Sequence, residues 1–171
     1  MSELEVEKEK VATVDVQQLL DEEVPKARAE RRFTDAHTSA IRAFSALLET
    51  DVPRAFRVLA EVAAPIAAEA EDVVLMRLTV SLGAAMATQK GDAAQTESWA
   101  EAQHALGVAL GDRVLQARSH YVRAIGLLRT QPENLRGVQH LLKLARDDAR
   151  AGGDEAFEGE IRRTLGKLRR A

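Results

Sequence analysis

The chain has 171 residues with no cysteine, four prolines, ten glycines and 30 alanines, and its net charge is −3. This length suits one domain with a sizeable core, and the absence of cysteine excludes disulfides, thiolate metal sites and cysteine nucleophiles. No apolar run approaches the roughly 18 residues of a membrane span, and the charged start lacks the apolar segment of a signal peptide. We therefore expect a cytoplasmic protein without a membrane span.

The N-terminal part divides into two predicted segments. Residues 1–13 are rich in glutamate and lysine and are predicted to form a disordered tail. Residues 14–32 carry a weak amphipathic pattern, interrupted by Pro25, and predict an N-terminal helix. Three roles are open for this helix: capping the domain that follows, forming a homodimer, or occupying a groove as an intramolecular ligand.

Residues 33–171 are predicted to fold as one domain of seven helices. Each stretch carries apolar side chains at three- and four-residue spacing, which is typical of amphipathic helices. The alternating pattern of strands is absent, so the protein is predicted to be all-α. Pro65 lies well inside the second stretch and is expected to kink or split that helix. Six polar residues are candidate N-caps: Asp51, Asp72, Asp92, Asp112, Asn134 and Asp154.

The candidate caps recur at a nearly fixed distance. One set is spaced 40 and 42 residues apart, and the other 41 and 42, namely Asp72, Asp112 and Asp154, and Asp51, Asp92 and Asn134. Small residues, where close helix approach is expected, follow the first set after twelve positions: Ala84, Ala124 and Gly166. Self-similarity at this period is typical of helical arrays.

The segment Ala-Leu-Gly-Asp-Arg-Val-Leu-Gln-Ala-Arg at 109–118 resembles the inter-repeat segment of tetratricopeptide (TPR-like) repeats. The repeats in question are the roughly 40-residue kind of bacterial regulators and signalling proteins. Ala-Gly-Gly-Asp-Glu-Ala-Phe and Thr-Leu-Gly-Lys-Leu, within 151–168, are similar to the same pattern. Arg123 departs from it, because leucine is usual there. The resemblance covers residues 34–171 and implies a right-handed α-solenoid of about three antiparallel helix pairs plus a terminal capping helix. An up-and-down helical bundle is the alternative.

Motifs that carry chemistry are not found in the sequence. None of the four histidines are three or four residues apart, and phosphate-binding and nucleophile-elbow motifs are absent. The adjacent pairs Glu22-Glu23 and Asp147-Asp148 point about 100° apart on a helix. We therefore predict no enzymatic activity, no cofactor and no metal. Trp99 and Tyr121 lie on apolar stripes and are predicted to be core residues, with a role as ligand anchors as the alternative.

Charge is distributed unevenly along the chain. Residues 1–32 have 6 basic and 9 acidic side chains, residues 33–111 have 5 and 10, and residues 112–171 have 13 and 8. A basic end and an acidic front favour an oriented interaction with an acidic partner. The last helix contains a possible basic patch: Arg162, Arg163, Lys167, Arg169 and Arg170. Nucleic acid is not the expected partner, since aromatic interleaving is missing.

The resemblance implies a concave groove, lined by the first helix of each pair, that binds a partner's peptide or helix. Its candidate residues are Arg77, Ser81, Arg118, His120, Arg123 and Arg162. Several are arginines, which suit acidic peptides or a C-terminal carboxylate. The chain is thus predicted to be a non-catalytic interaction module: a bacterial adaptor, scaffold or regulator. The alternatives are a translocator chaperone like those of type III secretion, and a nucleic-acid-associated regulator that uses the basic patch.

Overall fold

The computed structural model describes residues 14–168, so the predicted disordered tail, Arg169 and Arg170 lie outside the described residues. All regular elements within 14–168 are helices, which confirms the all-α prediction. The described residues form eight helices: α1 (Val16–Gln18, Leu19–Glu23 and Val24–Ala29 in succession), α2 (Phe33–Leu47), α3 (Val52–Val58, Leu59–Ala63 and Ala64–Glu69 in succession), α4 (Val73–Lys90), α5 (Ala93–Leu110), α6 (Arg113–Thr130), α7 (Leu135–Ala151) and α8 (Glu155–Leu168).

Helices α1 and α3 each contain a five-residue π-helical segment just before a proline. The amides of Val24 and Ala64 bond to carbonyls five residues back, instead of four. Pro25 and Pro65 follow directly, and a proline ring in a regular helix clashes with the carbonyl four residues earlier. A π-helical turn at that point is a known accommodation of a kink. The interruption expected at Pro65 therefore takes this form.

Side-chain caps define the starts of the helices. The six candidate N-caps all accept a hydrogen bond from a backbone amide of the first turn, the contacts being Asp51 with Arg54, Asp72 with Val74 and Leu75, Asp92 with Gln95, Asp112 with Leu115, Asn134 with Gly137, and Asp154 with Phe157. Such bonds satisfy amides that have no partner inside the helix. The start of each of these helices is thus set locally.

Four turns of identical geometry join α1 to α2, α3 to α4, α5 to α6 and α7 to α8. Each has one residue with a left-handed backbone, and these residues are 40, 40 and 42 positions apart: Arg31, Glu71, Gly111 and Gly153. The amide after each one bonds to the carbonyl five residues back, over 2.8–3.3 Å, as in a Schellman motif. The recurrence extends to residues 14–32, which the sequence analysis treats as separate from the repeats.

Two clusters of buried apolar side chains form the core. The first is built mainly by α1–α5 around Phe44 and Leu59, and the second by α6–α8 around Leu142 and Ile161. Each helix packs on the next one along the chain, and α4 also contacts α6. Trp99 belongs to the first cluster, in agreement with its predicted core position.

The predicted small-residue positions have different environments. Ala84 and Ala124 are completely buried. Gly166 is exposed, and a Cβ added to it would have no neighbour within 4 Å. The prediction of close helix approach at Gly166 is therefore wrong, because no helix within residues 14–168 covers that face of α8.

Candidate binding groove

A groove of about 610 Å³ lies between α4, α6 and α8, and we call it the α4–α6–α8 groove. Its lining residues recur along the chain: Ser81, Tyr121 and Arg163 are 40 and 42 residues apart, and Ala85 and Ile125 are 40 apart. The same surface of three successive second helices thus forms the groove. Its volume falls within the usual range of ligand pockets, roughly 300–1,000 Å³.

Aromatic side chains form one wall of the groove. The Tyr121 and Phe157 rings meet edge to face with their centroids 5.3 Å apart. The Tyr121 hydroxyl donates a hydrogen bond of 3.4 Å to Glu160 Oε1. Burial, together with the Glu160 carboxylate, raises the pKa of Tyr121, so the phenol stays protonated. Tyr121 is half-buried in the groove, and its environment differs from the closed core predicted for it.

Two arginines and two carboxylates line the groove. The Arg118 guanidinium lies 3.6 Å from Asp154 Oδ2 and 5.3 Å from the centre of the Phe157 ring. Arg163 has no ion pair within the described part of the chain. A guanidinium with free donors can bind a carboxylate through two parallel hydrogen bonds.

The floor of the groove contains a buried polar pair. Gln103 of α5 is only 2% exposed, and its Nε2 donates a hydrogen bond of 3.3 Å to Ser81 Oγ. Its Oε1 is buried and has no hydrogen-bond partner among the described residues. The sequence analysis missed Gln103, because a glutamine on a helix has no motif that distinguishes it from a solvated residue.

The structure brings two of the six candidate groove residues, Ser81 and Arg118, into the groove. Arg77 forms an ion pair with Asp112, and Arg123 with Glu97. Both pairs lie outside the groove, since neither arginine lines it.

The remaining candidates have other neighbours. Arg162 donates a 2.7 Å hydrogen bond to Glu158, and His120 lies beside Asp148. The possible basic patch is divided as well, because Arg163 lines the groove whereas Lys167 is exposed on α8.

Two histidines that the sequence does not pair meet between α5 and α6. The ring centroids of His104 and His120 are 4.9 Å apart, and His120 Nε2 lies 3.5 Å from Asp148 Oδ2. Burial lowers the pKa of His120, the nearby His104 lowers it further, and Asp148 opposes both effects. Motif spacing within one helix cannot reveal this pair, since its members come from separate helices.

The described residues were also compared with other kinds of site and other proteins. Between residues 14 and 168, no group of three or more His, Asp or Glu side chains is arranged to hold a metal ion. No helix in the same range has the length and hydropathy needed to cross a bilayer. The chain gave no match to protein-family models, to curated proteins or to solved structures.

Proposed function

We propose that this protein is a non-catalytic interaction module that binds a peptide or helix of a partner protein in the α4–α6–α8 groove. In this proposal the helices form a TPR-like α-solenoid, and the protein acts as an adaptor, scaffold or regulator. The observation that carries the proposal is that three helices at a 40- to 42-residue period present equivalent side chains to one groove. Arrays that stack in this way create extended binding surfaces.

Side-chain contacts between successive units support the array. Arg77 pairs with Asp112, and Arg113 with Asp148, and both pairs span 35 residues. At the opposite ends of the helices, Lys90 donates to the Leu48 carbonyl over 3.2 Å. Arg129 likewise donates to the carbonyl of Thr88 over 2.6 Å, 41 residues away. Recurring contacts between neighbours are what a quasi-one-dimensional fold requires.

The test uses two arginines of the same helix. Arg118 lines the groove, and Arg123, five residues later, pairs with Glu97 outside it. The wild-type chain serves as bait in extracts of its source cells, beside Arg118→Glu and Arg123→Glu. We expect a captured partner to be lost with Arg118→Glu and retained with Arg123→Glu. Equal retention by both variants, or equal loss with both chains folded, contradicts binding in the groove. The chaperone and nucleic-acid alternatives stay predictions.

A further inference from the structure

We propose that the α4–α6–α8 groove binds an extended peptide segment that bears a carboxylate, with the Gln103 carboxamide bonded to its backbone and Arg163 paired with its carboxylate. This inference rests on the proposed function and specifies the chemistry of the partner. It follows from polar groups of the groove whose bonding capacity is not used within residues 14–168.

The first such group is the Gln103 carboxamide. A buried polar atom without a hydrogen bond is destabilising, and Gln103 Oε1 is one. The terminal torsion of glutamine is broad, so a small rotation turns this oxygen from the floor towards the groove that the residue lines. A peptide backbone offers an N–H donor for the oxygen and a carbonyl acceptor for the amide nitrogen.

The second group is the pair of groove arginines. Neither Arg118 nor Arg163 donates a side-chain hydrogen bond among the described residues, whereas Arg77, Arg129 and others do. The carboxylates of the groove are both engaged: Glu160 accepts from Tyr121, and Asp154 accepts from the Phe157 amide. The charged donors left for a ligand are therefore guanidinium groups, which select a carboxylate.

The distance across the groove favours an extended segment over a small molecule. Gln103 contacts Ser81 of α4, whereas Arg163 belongs to α8, and α6 lies between them. Two interhelical distances of about 8–10 Å separate α4 from α8, and an extended chain covers about 3.3–3.6 Å per residue. A segment of about five residues thus spans both groups, and the Tyr121, Ile125 and Phe157 surface accommodates an apolar side chain between them.

The test begins with synthetic random twelve-residue peptides, each made with a free and with an amidated C-terminus, on the full-length protein. We expect the selected peptides to contain a carboxylate and an apolar residue within five positions. Binding of amidated peptides identifies aspartate or glutamate side chains as the source of the carboxylate. Binding of only the free forms identifies the chain terminus. Both results support the proposal.

Dissociation constants of the selected peptides are then measured with two variants and two matched controls. Arg163→Gln should weaken binding at least about tenfold, and Gln103→Leu about three- to tenfold. Arg136→Gln on α7 and Gln116→Leu, whose side chain bonds to the Gly107 carbonyl outside the groove, should leave the affinity unchanged. Gln103→Leu should keep or raise the stability to urea, whereas Gln116→Leu should lower it, so a purely structural role of Gln103 is distinguished from binding.

Selected peptides without carboxylates, no selected peptides, or an affinity unaffected by either groove variant would overturn the inference. The proposed function is judged separately, because a native partner lost with Arg118→Glu in the capture experiment supports the groove whatever the peptides do.

Discussion

At the scale of single residues, the left-handed turn positions give the most direct test of local energetics. Glu71 and Gly111 occupy equivalent turns with φ of 51° and 64°. A side chain in this conformation costs about 1 kcal/mol, whereas glycine tolerates it. We expect Glu71→Gly to raise the free energy of unfolding by about 0.5–1 kcal/mol and Gly111→Ala to lower it by a similar amount. Urea unfolding followed by the fluorescence of the single tryptophan measures both.

The control for this comparison is Glu71→Ala. This variant removes the carboxylate from a helix C-terminus, where a negative charge is unfavourable, but keeps the strained backbone. Its stability should lie between those of wild type and Glu71→Gly. If Glu71→Ala equals Glu71→Gly, charge and not backbone strain determines the effect.

A second prediction at this scale concerns buried histidines. His37 is 1% exposed, and its Nε2 lies 2.7 Å from Thr79 Oγ1, which donates to the Leu75 carbonyl. Burial lowers the pKa of His37 and of His120 below the ordinary 6.5, although Asp72 and Asp148 act in the opposite direction. The unfolded chain therefore binds more protons as the pH falls below about 6.5, and stability is lost there.

We expect the free energy of unfolding to be lower at pH 5.5 than at pH 7.5, and the variant with both His37→Gln and His120→Gln to show a flatter profile. His140→Gln, an exposed site, is the control and should keep the wild-type profile. An unchanged slope in the double variant would refute this assignment. Urea titrations at the two pH values provide the measurement.

At the scale of elements, α4 and α5 are held together by close contact of a glycine with an indole. A Cβ added to Gly83 would overlap the Trp99 ring. Glycine to alanine in an exposed helix usually stabilises by up to about 1 kcal/mol, but overpacking costs about 1–3 kcal/mol. We therefore expect Gly83→Ala to destabilise the protein.

The matched control is Gly159→Ala in α8, where the added Cβ meets only the Arg163 side chain at 3.8 Å. This variant should raise stability, because only helix propensity changes. Thermal unfolding of both variants gives the two signs. A stabilising effect of Gly83→Ala would mean that α4 and α5 separate without cost at that point.

At the scale of the whole molecule, the two core clusters allow the array to be tested against a closed bundle. Leu142→Ala removes a fully buried side chain from the second cluster and should cost about 2–5 kcal/mol. In an array, stability is a sum over neighbouring units, so we expect amide exchange to accelerate much more in α7 and α8 than in α1–α3. Hydrogen exchange followed by mass spectrometry measures this difference.

Leu59→Ala in the first cluster is the reciprocal variant and should produce the opposite pattern. Equal acceleration in all helices of both variants would indicate one cooperative unit, as expected for a bundle.

Most of the helices could be predicted from the sequence, but not all of the turns. Gly111 and Gly153 identify their turns because glycine favours a left-handed backbone. Arg31 and Glu71 form the same turn without that signal, since the two Schellman hydrogen bonds offset the strain of a side chain there. For this reason the sequence alone separated residues 14–32 from the repeated units.

The groove was predictable only in part. Arg118 and Ser81 were candidates by helix register, but Arg123 lies on the same helix and faces Glu97. An error of one residue rotates a side chain by about 100° around the helix. Gln103 could not be predicted, because its unpartnered oxygen results from packing between α5 and the groove-lining helices.

By itself, the sequence determined the helical class, the helix starts and the approximate period, because apolar spacing and N-caps act within a few residues of the chain. Only the tertiary structure decided which side chains converge. Tyr121 came to line a groove, Gln103 came to lie on its floor, and His104 came to face His120. These neighbours are determined by how helices pack, and a helix surface pattern is compatible with several packings.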